Sequence, residues 1–383
     1  MNLPSHSHIL ILGGGVMGAS TLYHLAQRGI TDVVLLEKES FFGQGATGRC
    51  AGGIRYQFAT EINIRLSLLS LPMLDRFKEE VGQDIDRRYC GYLFLLNNEK
   101  DVAAFKRNVQ LQHSLGVMTE WLSGDEIRKR LPLMKLDDVI GGTFYAQDGL
   151  CDPNGVVMGY INAARRLGAK AIEDSEVIAV EKLGDKGFKV HTANGDITCD
   201  LLVNAAGPWS APLSRMLNID LPVTALRRQM LTTTPLPEVP PDFPFVIDFA
   251  QSLYFHREGD GLLTGMSNPN EIAGFDQSVD EAFELINLDA ASKRMPLLEK
   301  AGLASHWAGL YEVTPDAHPI IGRVSENYFV VAGFSGHGFM HGPASGLLLS
   351  EEILDGKAHT LDISSLSYAR FAEGKLIKEY NVV

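Results

Sequence analysis

Three glycines, Gly13, Gly15 and Gly18, stand in the spacing Gly-x-Gly-x-x-Gly, and an acid, Glu37, closes the next apolar run. Residues of these types in this order can bind a dinucleotide. The first glycine makes a tight turn, the second lets backbone approach a pyrophosphate, and the third lets helix and sheet pack closely. Val16 and Met17 fall where a helix starts, so free N–H groups and the positive dipole end face the phosphates. Glu37 can accept hydrogen bonds from ribose hydroxyls. A bare glycine motif is a weak signal. Here the apolar run His8–Leu12 precedes it, the helical stretch Ala19–Arg28 follows, and Val33–Leu36 leads into the acid. The motif does not say which dinucleotide is bound or what is done with it.

Other elements must complete such a site. A glycine-rich loop covers 43–55. Apolar spacing predicts helices over about 61–80, 100–115 and 154–167, and a strand at Tyr92–Leu96. Then the period changes to short strands, 176–182, 187–192 and 196–199, forming an antiparallel meander. A buried strand, Leu201–Val203, stops at Asn204-Ala-Ala-Gly-Pro-Trp209, and further strand-like runs fill 222–265. Finally Tyr328–Ala332 breaks into Gly333-Phe-Ser-Gly-His-Gly-Phe339 before a helix from about Pro343 to Leu354. Three buried strands thus end in glycine-containing loops, at Gly13, Gly207 and Gly333. Ligands of open α/β sheets sit beyond the carboxyl ends of strands. Three such ends point to one long cofactor across the sheet, which favours FAD over NAD. Spacing alone leaves open that Gly207 and Gly333 are ordinary turn glycines.

At 383 residues the chain is long enough for two joined domains. Its 45% apolar and 21% charged content is that of an ordinary globular enzyme. A net charge of −13 argues against nucleic acid as a partner. The short basic runs, such as Arg227-Arg228, read as solvated or structural. Cys50, Cys90, Cys151 and Cys199 are widely spaced, with no pattern for zinc or an iron–sulfur cluster, so no metal is expected. No leader is expected before the first strand, and no apolar run approaches the ~18 residues of a membrane span. A cytoplasmic protein is expected, with peripheral membrane association left open.

Beyond these readings, the chain resembles, nearly end to end, the D-amino-acid oxidase/glycine oxidase/sarcosine oxidase superfamily of FAD-dependent amine oxidoreductases. The resemblance rests on Gly13–Gly18 with Glu37-Lys38, on Gly45–Arg55, on Asn204–Trp209, on Trp307–Gly322 and on Gly333–Met340. Gly48–Arg55, Gly91–Leu96 and Gly336–Met340 are most similar to the β subunits of dye-linked L-proline dehydrogenase and heteromeric sarcosine oxidase. Dimethylglycine dehydrogenase is more distantly similar, and its C-terminal folate-binding region has no counterpart here. The resemblance implies an α/β fold: a Rossmann-like FAD-binding domain (1–85, 150–215, 315–383) interleaved with an α+β substrate domain (86–149, 216–314) whose sheet is mixed and largely antiparallel. It implies FAD contacts at Gly13, Gly15, Val16, Met17, Gly18, Glu37, Lys38, Gly45, Ala46, Thr47, Arg49, Cys50, Ala51, Gly52, Gly53, Val177, Ala206, Gly207, Trp209, Gly309, Gly333, Gly336, His337, Gly338, Phe339 and Met340.

The implied reaction is oxidation of a small secondary amine or amino acid, proline- or sarcosine-like. A hydride leaves the carbon next to nitrogen for flavin N5, giving an imine. The loop 336–340 and the helix after it can aim N–H groups at charge that develops near flavin N1 and the C2 carbonyl. His337 is a candidate to orient substrate nitrogen or to hydrogen-bond the flavin, or alternatively to satisfy buried backbone. A carboxylate substrate wants an arginine fork: Arg55 leads, Arg49 is second, and Tyr254, His256 and Tyr311 can assist. Departures from the family sharpen this. The lysine that holds carboxylate in monomeric sarcosine oxidases is Met340 here, and the arginine of glycine oxidases falls near Tyr311. The residues that tether FAD covalently in relatives correspond to Gly309 and Arg49, so the FAD is expected to be noncovalent. The oxygen-activating lysine falls near Leu263, which favours a dehydrogenase. In the β-type relatives, partner subunits carry further redox centres and an FMN can sit at the interface, so an electron acceptor or partner redox subunit, and a homo- or hetero-oligomer, belong to the expectation. Two alternatives remain at this stage: oxidation of a 2-hydroxy acid or glycerol phosphate, and an electron-relay subunit without turnover of its own.

Overall fold

The computed structural model describes residues 3–382; positions 1, 2 and 383 of the expected domain segments lie outside the described residues. Two eight-stranded sheets organise the chain. The first runs in the order Ile320–Ser325, Tyr328–Ala332, Gly195–Asn204, His6–Leu12, Val33–Leu36, Lys170–Ile172, with Phe188–Thr192 and then Val177–Lys182 branching from Gly195–Asn204. The contacts of His6–Leu12 with both neighbours are parallel, as are those of Tyr328–Ala332 with Gly195–Asn204 and of Val33–Leu36 with Lys170–Ile172. Strands of this kind are covered on both faces and so read as unbroken apolar runs. Ile9 and Ile11 point into one core with the helices Val16–Gln27, Pro153–Arg166 and Gly338–Asp355. Leu10 and Leu12 point into the other, with Phe188, Leu221 and Tyr328.

The second sheet runs Leu303–Val313, Thr224–Thr233, Gly261–Met266, Leu253–Glu258, Phe245–Asp248, Tyr92–Leu96, Gly141–Tyr145, Glu120–Ser123. It is antiparallel except where Phe245–Asp248 meets Tyr92–Leu96. Successive side chains of a strand face opposite ways. Leu93, Leu95, Val246 and Phe255 therefore pack under the helix Glu281–Arg294, while Tyr92, Phe94, Phe245, Ile247, Tyr254 and Met230 gather on the other face. The expected α/β architecture with a mixed, largely antiparallel second sheet is the one found.

Several boundaries differ from the sequence reading. The helix expected over 61–80 is two, Glu61–Asp75 and Phe77–Val81, broken at Arg76. The strands expected at 196–199 and 201–203 are one, Gly195–Asn204, which serves the antiparallel meander along its first half and the parallel core along its second. The last long helix begins at Gly338, five residues before Pro343, so the proline sits inside it and not at its start. Tertiary packing explains that. Gly338, Gly342 and Gly346 recur every fourth residue, hence on one face. Methyl groups at the latter two would strike Val16 and Ser20 of the first helix. The missing side chains let the two helices cross almost backbone to backbone. Close contact of this kind outweighs the hydrogen bond that Pro343 cannot donate.

Candidate active site

A cavity of about 400 Å³ runs from the glycine motif across the carboxyl ends of the first sheet to the face of the second. At its near end Gly13 has φ +111°, and a Cβ there would lie 2.5 Å from Ala205 O. Gly15 precedes the helix Val16–Gln27 and gives it no side-chain cap, which leaves N–H groups for a ligand. Val16 N is 3.2 Å from Thr47 Oγ1, which ties the motif to the glycine-rich loop. Glu37 accepts from Gly14 N at 2.7 Å and from Glu39 N at 2.9 Å. Burial raises its pKa, and those two bonds oppose the rise. Lys38 Nζ stands 3.8 Å from the Trp209 ring. Val177, Ala206 and Gly207 complete this end.

Farther on, the wall is Gly45, Ala46, Thr47, Arg49, Cys50, Ala51, Gly52 and Gly53, with Gly309 opposite. Arg49 donates to Gln44 O at 3.2 Å and Ala308 O at 2.9 Å, and its own carbonyl accepts from Trp307 Nε1 at 3.0 Å. Gly336 has φ +99° and lies so close to the Tyr311 ring that any side chain would collide with it. The helix Gly338–Asp355 starts there without a side-chain cap, with Phe339 and Met340 in its first turn. A positive helix end and uncapped N–H groups therefore face the cavity twice, once at each end of the glycine-lined wall. That fits a diphosphate at one end and an electron-rich ring at the other, which is the chemistry of FAD.

The remaining volume is a box on the second sheet, with Tyr92, Met230, Phe245, Ile247, Tyr254 and Tyr311 on its walls and Arg55 and Arg228 entering it. Arg55 is 5% exposed. Its two Nη atoms donate to Gln57 O and Asn381 O, and its guanidinium lies 3.9 Å from the Phe58 ring. Behind it Asp148 accepts from Tyr56 N at 2.7 Å and Gln57 Nε2 at 2.9 Å, and burial pushes its pKa up to about 7. Burial also pushes the phenols of Tyr92 and Tyr254 well up and that of Tyr311 up, so all three remain donors at neutral pH.

Four expectations need correction. His337 lines the cavity, but both ring nitrogens are taken: Nε2 is 3.0 Å from Ala317 O and Nδ1 is 3.1 Å from His341 Nδ1. Burial lowers its pKa to about 3, so it is neutral with both nitrogens engaged and has none to offer a substrate. His256 is set back, stacked 5.0 Å from Phe245 with Nδ1 3.0 Å from Arg257 O. Gly18 and Gly333 do not line the cavity; they permit close packing behind it, against Gly13 O and Thr314 respectively. Arg227-Arg228 is not one solvated pair. Arg227 faces outward onto Glu271 at 3.2 Å and Asp276 at 3.0 Å, and Arg228 faces the box. The strand period of two, within the strand-like runs of 222–265, carries that signal. Tyr92, Phe245 and Ile247 line the box for the same reason. Glu312, within the Trp307–Gly322 segment, and Val382 also line the cavity, and no spacing in the sequence singles either out. Burial pushes the Glu312 carboxyl up to about 7.

Among the described residues no cluster of three or more metal-ligating side chains occurs, and no helix is long and apolar enough to cross a membrane. The DAO family model, described as FAD dependent oxidoreductase, matches residues 8–352. Mitochondrial sarcosine dehydrogenase of Mus musculus is 31% identical over 96% of the chain and 42% of its own length. The formaldehyde-forming 4-methylaminobutanoate oxidase of Paenarthrobacter nicotinovorans is 28% identical over 97% of the chain and 46% of its own length. The chain thus spans less than half of either enzyme. The crystal structure of L-proline dehydrogenase from P. horikoshii superposes with a TM-score of 0.90 at 33% identity, covering 98% of this chain and all of that one.

Proposed function

Because the chain belongs to the DAO family of FAD dependent oxidoreductases, we propose that it dehydrogenates a small secondary amine or amino acid that enters the box as its carboxylate. The observation that carries this reading is the continuity of the cavity: a glycine-lined cradle for FAD opens directly onto arginines and phenols among apolar walls. Bound FAD supplies the two-electron acceptor for the C–H bond next to nitrogen. The chain's residues do the rest. Arg55 fixes the carboxylate, with its fork already oriented by Gln57 O, Asn381 O and the Phe58 ring. Tyr254 and Tyr311 donate hydrogen bonds toward the substrate. Met230, Phe245 and Ile247 exclude water from the carbon that reacts. The uncapped helix end at Gly338 stabilises negative charge beside it.

The FAD of this reading is held noncovalently. Position 309 is glycine, and the one cysteine on the wall, Cys50, is held as a thiol because burial pushes its pKa up to about 11. Electrons go to an acceptor other than oxygen, since Leu263, where the oxygen-activating lysine would fall, is a buried aliphatic residue. The test is anaerobic titration of the purified yellow protein with amino acids, N-methyl amino acids and 2-hydroxy acids. Bleaching by an amine, with slow recovery in air and FAD released by acid precipitation, is the expected result. Bleaching by hydroxy acids alone, or by nothing, overturns the reading.

A further inference from the structure

The two arginines of the box are not equivalent, and only one is explained by a single substrate carboxylate. Arg228 lies on the Thr224–Thr233 strand, directly across from Gly309, with its guanidinium 5.1 Å from the Tyr311 ring. Its Nη1 donates to Arg227 O at 2.9 Å, and its Nε is buried with no acceptor. Among the described residues it makes no ion pair, whereas Arg227 beside it makes three. Arg228 is half-buried, and drawing a guanidinium even partly from water without a counter-ion is costly, so such a site suits an anion.

The candidate anions on the page narrow quickly. The diphosphate of FAD is accommodated at the first helix, at the far end of the cavity. Glu312 lines the cavity on the side of Gly207, and its strand neighbour Tyr311 is the residue that faces Arg228. Arg55 reaches the box from another direction, tied to Gln57 and Asn381, and Tyr311 lies within the influence of both cations. One carboxylate on Arg55 leaves Arg228 bare. We propose that the substrate is a dicarboxylic secondary amine, an N-carboxyalkyl amino acid, whose second carboxylate binds Arg228. This rests on the reading above, and the bond chemistry is unchanged: hydride and proton leave the same C–N unit. Arg228 then sets specificity. A monocarboxylate amine fits the box but leaves the second cation without a counter-ion.

The test uses two thioethers in which sulfur replaces the amine nitrogen, methylthioacetate with one carboxylate and thiodiacetate with two. Each is titrated into the FAD-loaded protein while the flavin absorbance is followed. Thiodiacetate is expected to bind at least about tenfold more tightly. Arg228→Met should remove that preference while methylthioacetate still binds and the spectrum without ligand is unaltered. Arg228→Lys, should the methionine variant lose its FAD, should keep part of the preference. Equal affinities in the unaltered protein overturn the proposal. So does loss of methylthioacetate binding in Arg228→Met, which would make Arg228 the anchor for a lone carboxylate. So too does a changed spectrum without ligand, which would make the flavin its partner. If neither thioether perturbs the flavin, the amine reading fails together with this one.

Discussion

At the scale of single residues, the walls of the box offer donors and cations, while Glu312, which also lines the cavity with its pKa pushed up to about 7 by burial, stands on the side of Gly207. The three phenols stay protonated and the imidazole of His337 is consumed by Ala317 and His341. The substrate nitrogen must therefore arrive unprotonated. Anaerobic reduction by low substrate concentrations should rise with pH and level off at the pKa of the substrate amine. Two substrates of different amine pKa should give correspondingly different midpoints; a shared midpoint would reveal a protein base. Arg55→Ala should weaken methylthioacetate by about 2–5 kcal/mol, the range for truncating one partner of a buried charge pair. Flavin titration measures it, and an unchanged dissociation constant would move the carboxylate elsewhere. The sequence disclosed residues of this kind unevenly. Gly13, Gly15 and Arg49 belong to local patterns, and all three line the cavity. His337 has a suggestive neighbourhood, but the direction of its ring is decided by Ala317 and His341, and such contacts are not written in local spacing.

At the scale of elements, the decisive piece is the glycine seam between the helices Val16–Gln27 and Gly338–Asp355. It fixes how the two helix ends that face the cavity lie relative to each other. Gly346→Ala places a methyl group 2.6 Å from the carbonyl carbon of Ser20, far from any cavity wall, and the helices must part. Overpacking of this kind costs about 1–3 kcal/mol. The variant should keep its circular dichroism yet bind FAD more weakly, read from the ratio of flavin to protein absorbance. Full FAD occupancy at the unaltered affinity would show that the crossing is slack. The elements themselves were largely visible, because buried parallel strands and amphipathic helices carry strong periods. Two failures have physical causes. Pro343 reads as a helix start by propensity, and the close crossing overrides it. Gly195–Asn204 reads as two strands because Asp200 interrupts the apolar run, although the backbone pairs straight through.

At the scale of the whole molecule, the last residues lock the box. Glu379 accepts from Ala59 N at 2.9 Å, Thr60 Oγ1 at 2.7 Å and Asn63 Nδ2 at 3.0 Å, and two residues on Asn381 O holds Arg55. Burial pushes the Glu379 carboxyl up, but the hydrogen bonds outweigh it and its pKa is lowered. The stability it contributes is therefore present above the ordinary glutamate range and is lost as pH falls through the depressed value. Glu379→Ala strands donors at about 1–3 kcal/mol each. The melting temperature and the affinity for carboxylate ligands should fall together, with the tail newly open to limited proteolysis; a melting temperature that holds would mean the tail is not bound there. Chain order has a consequence of its own for synthesis. The strand His6–Leu12 lies at the centre of the first sheet, and two of the structures it depends on, Tyr328–Ala332 beyond its neighbour and the helix Gly338–Asp355, are made more than 300 residues later. A nascent chain that has just passed Gly13–Gly18 has no surface yet to close over these glycines. Loading with cofactor must then wait until translation has passed the helix Gly338–Asp355, and ribosome-bound chains stalled before Tyr328 should carry no flavin.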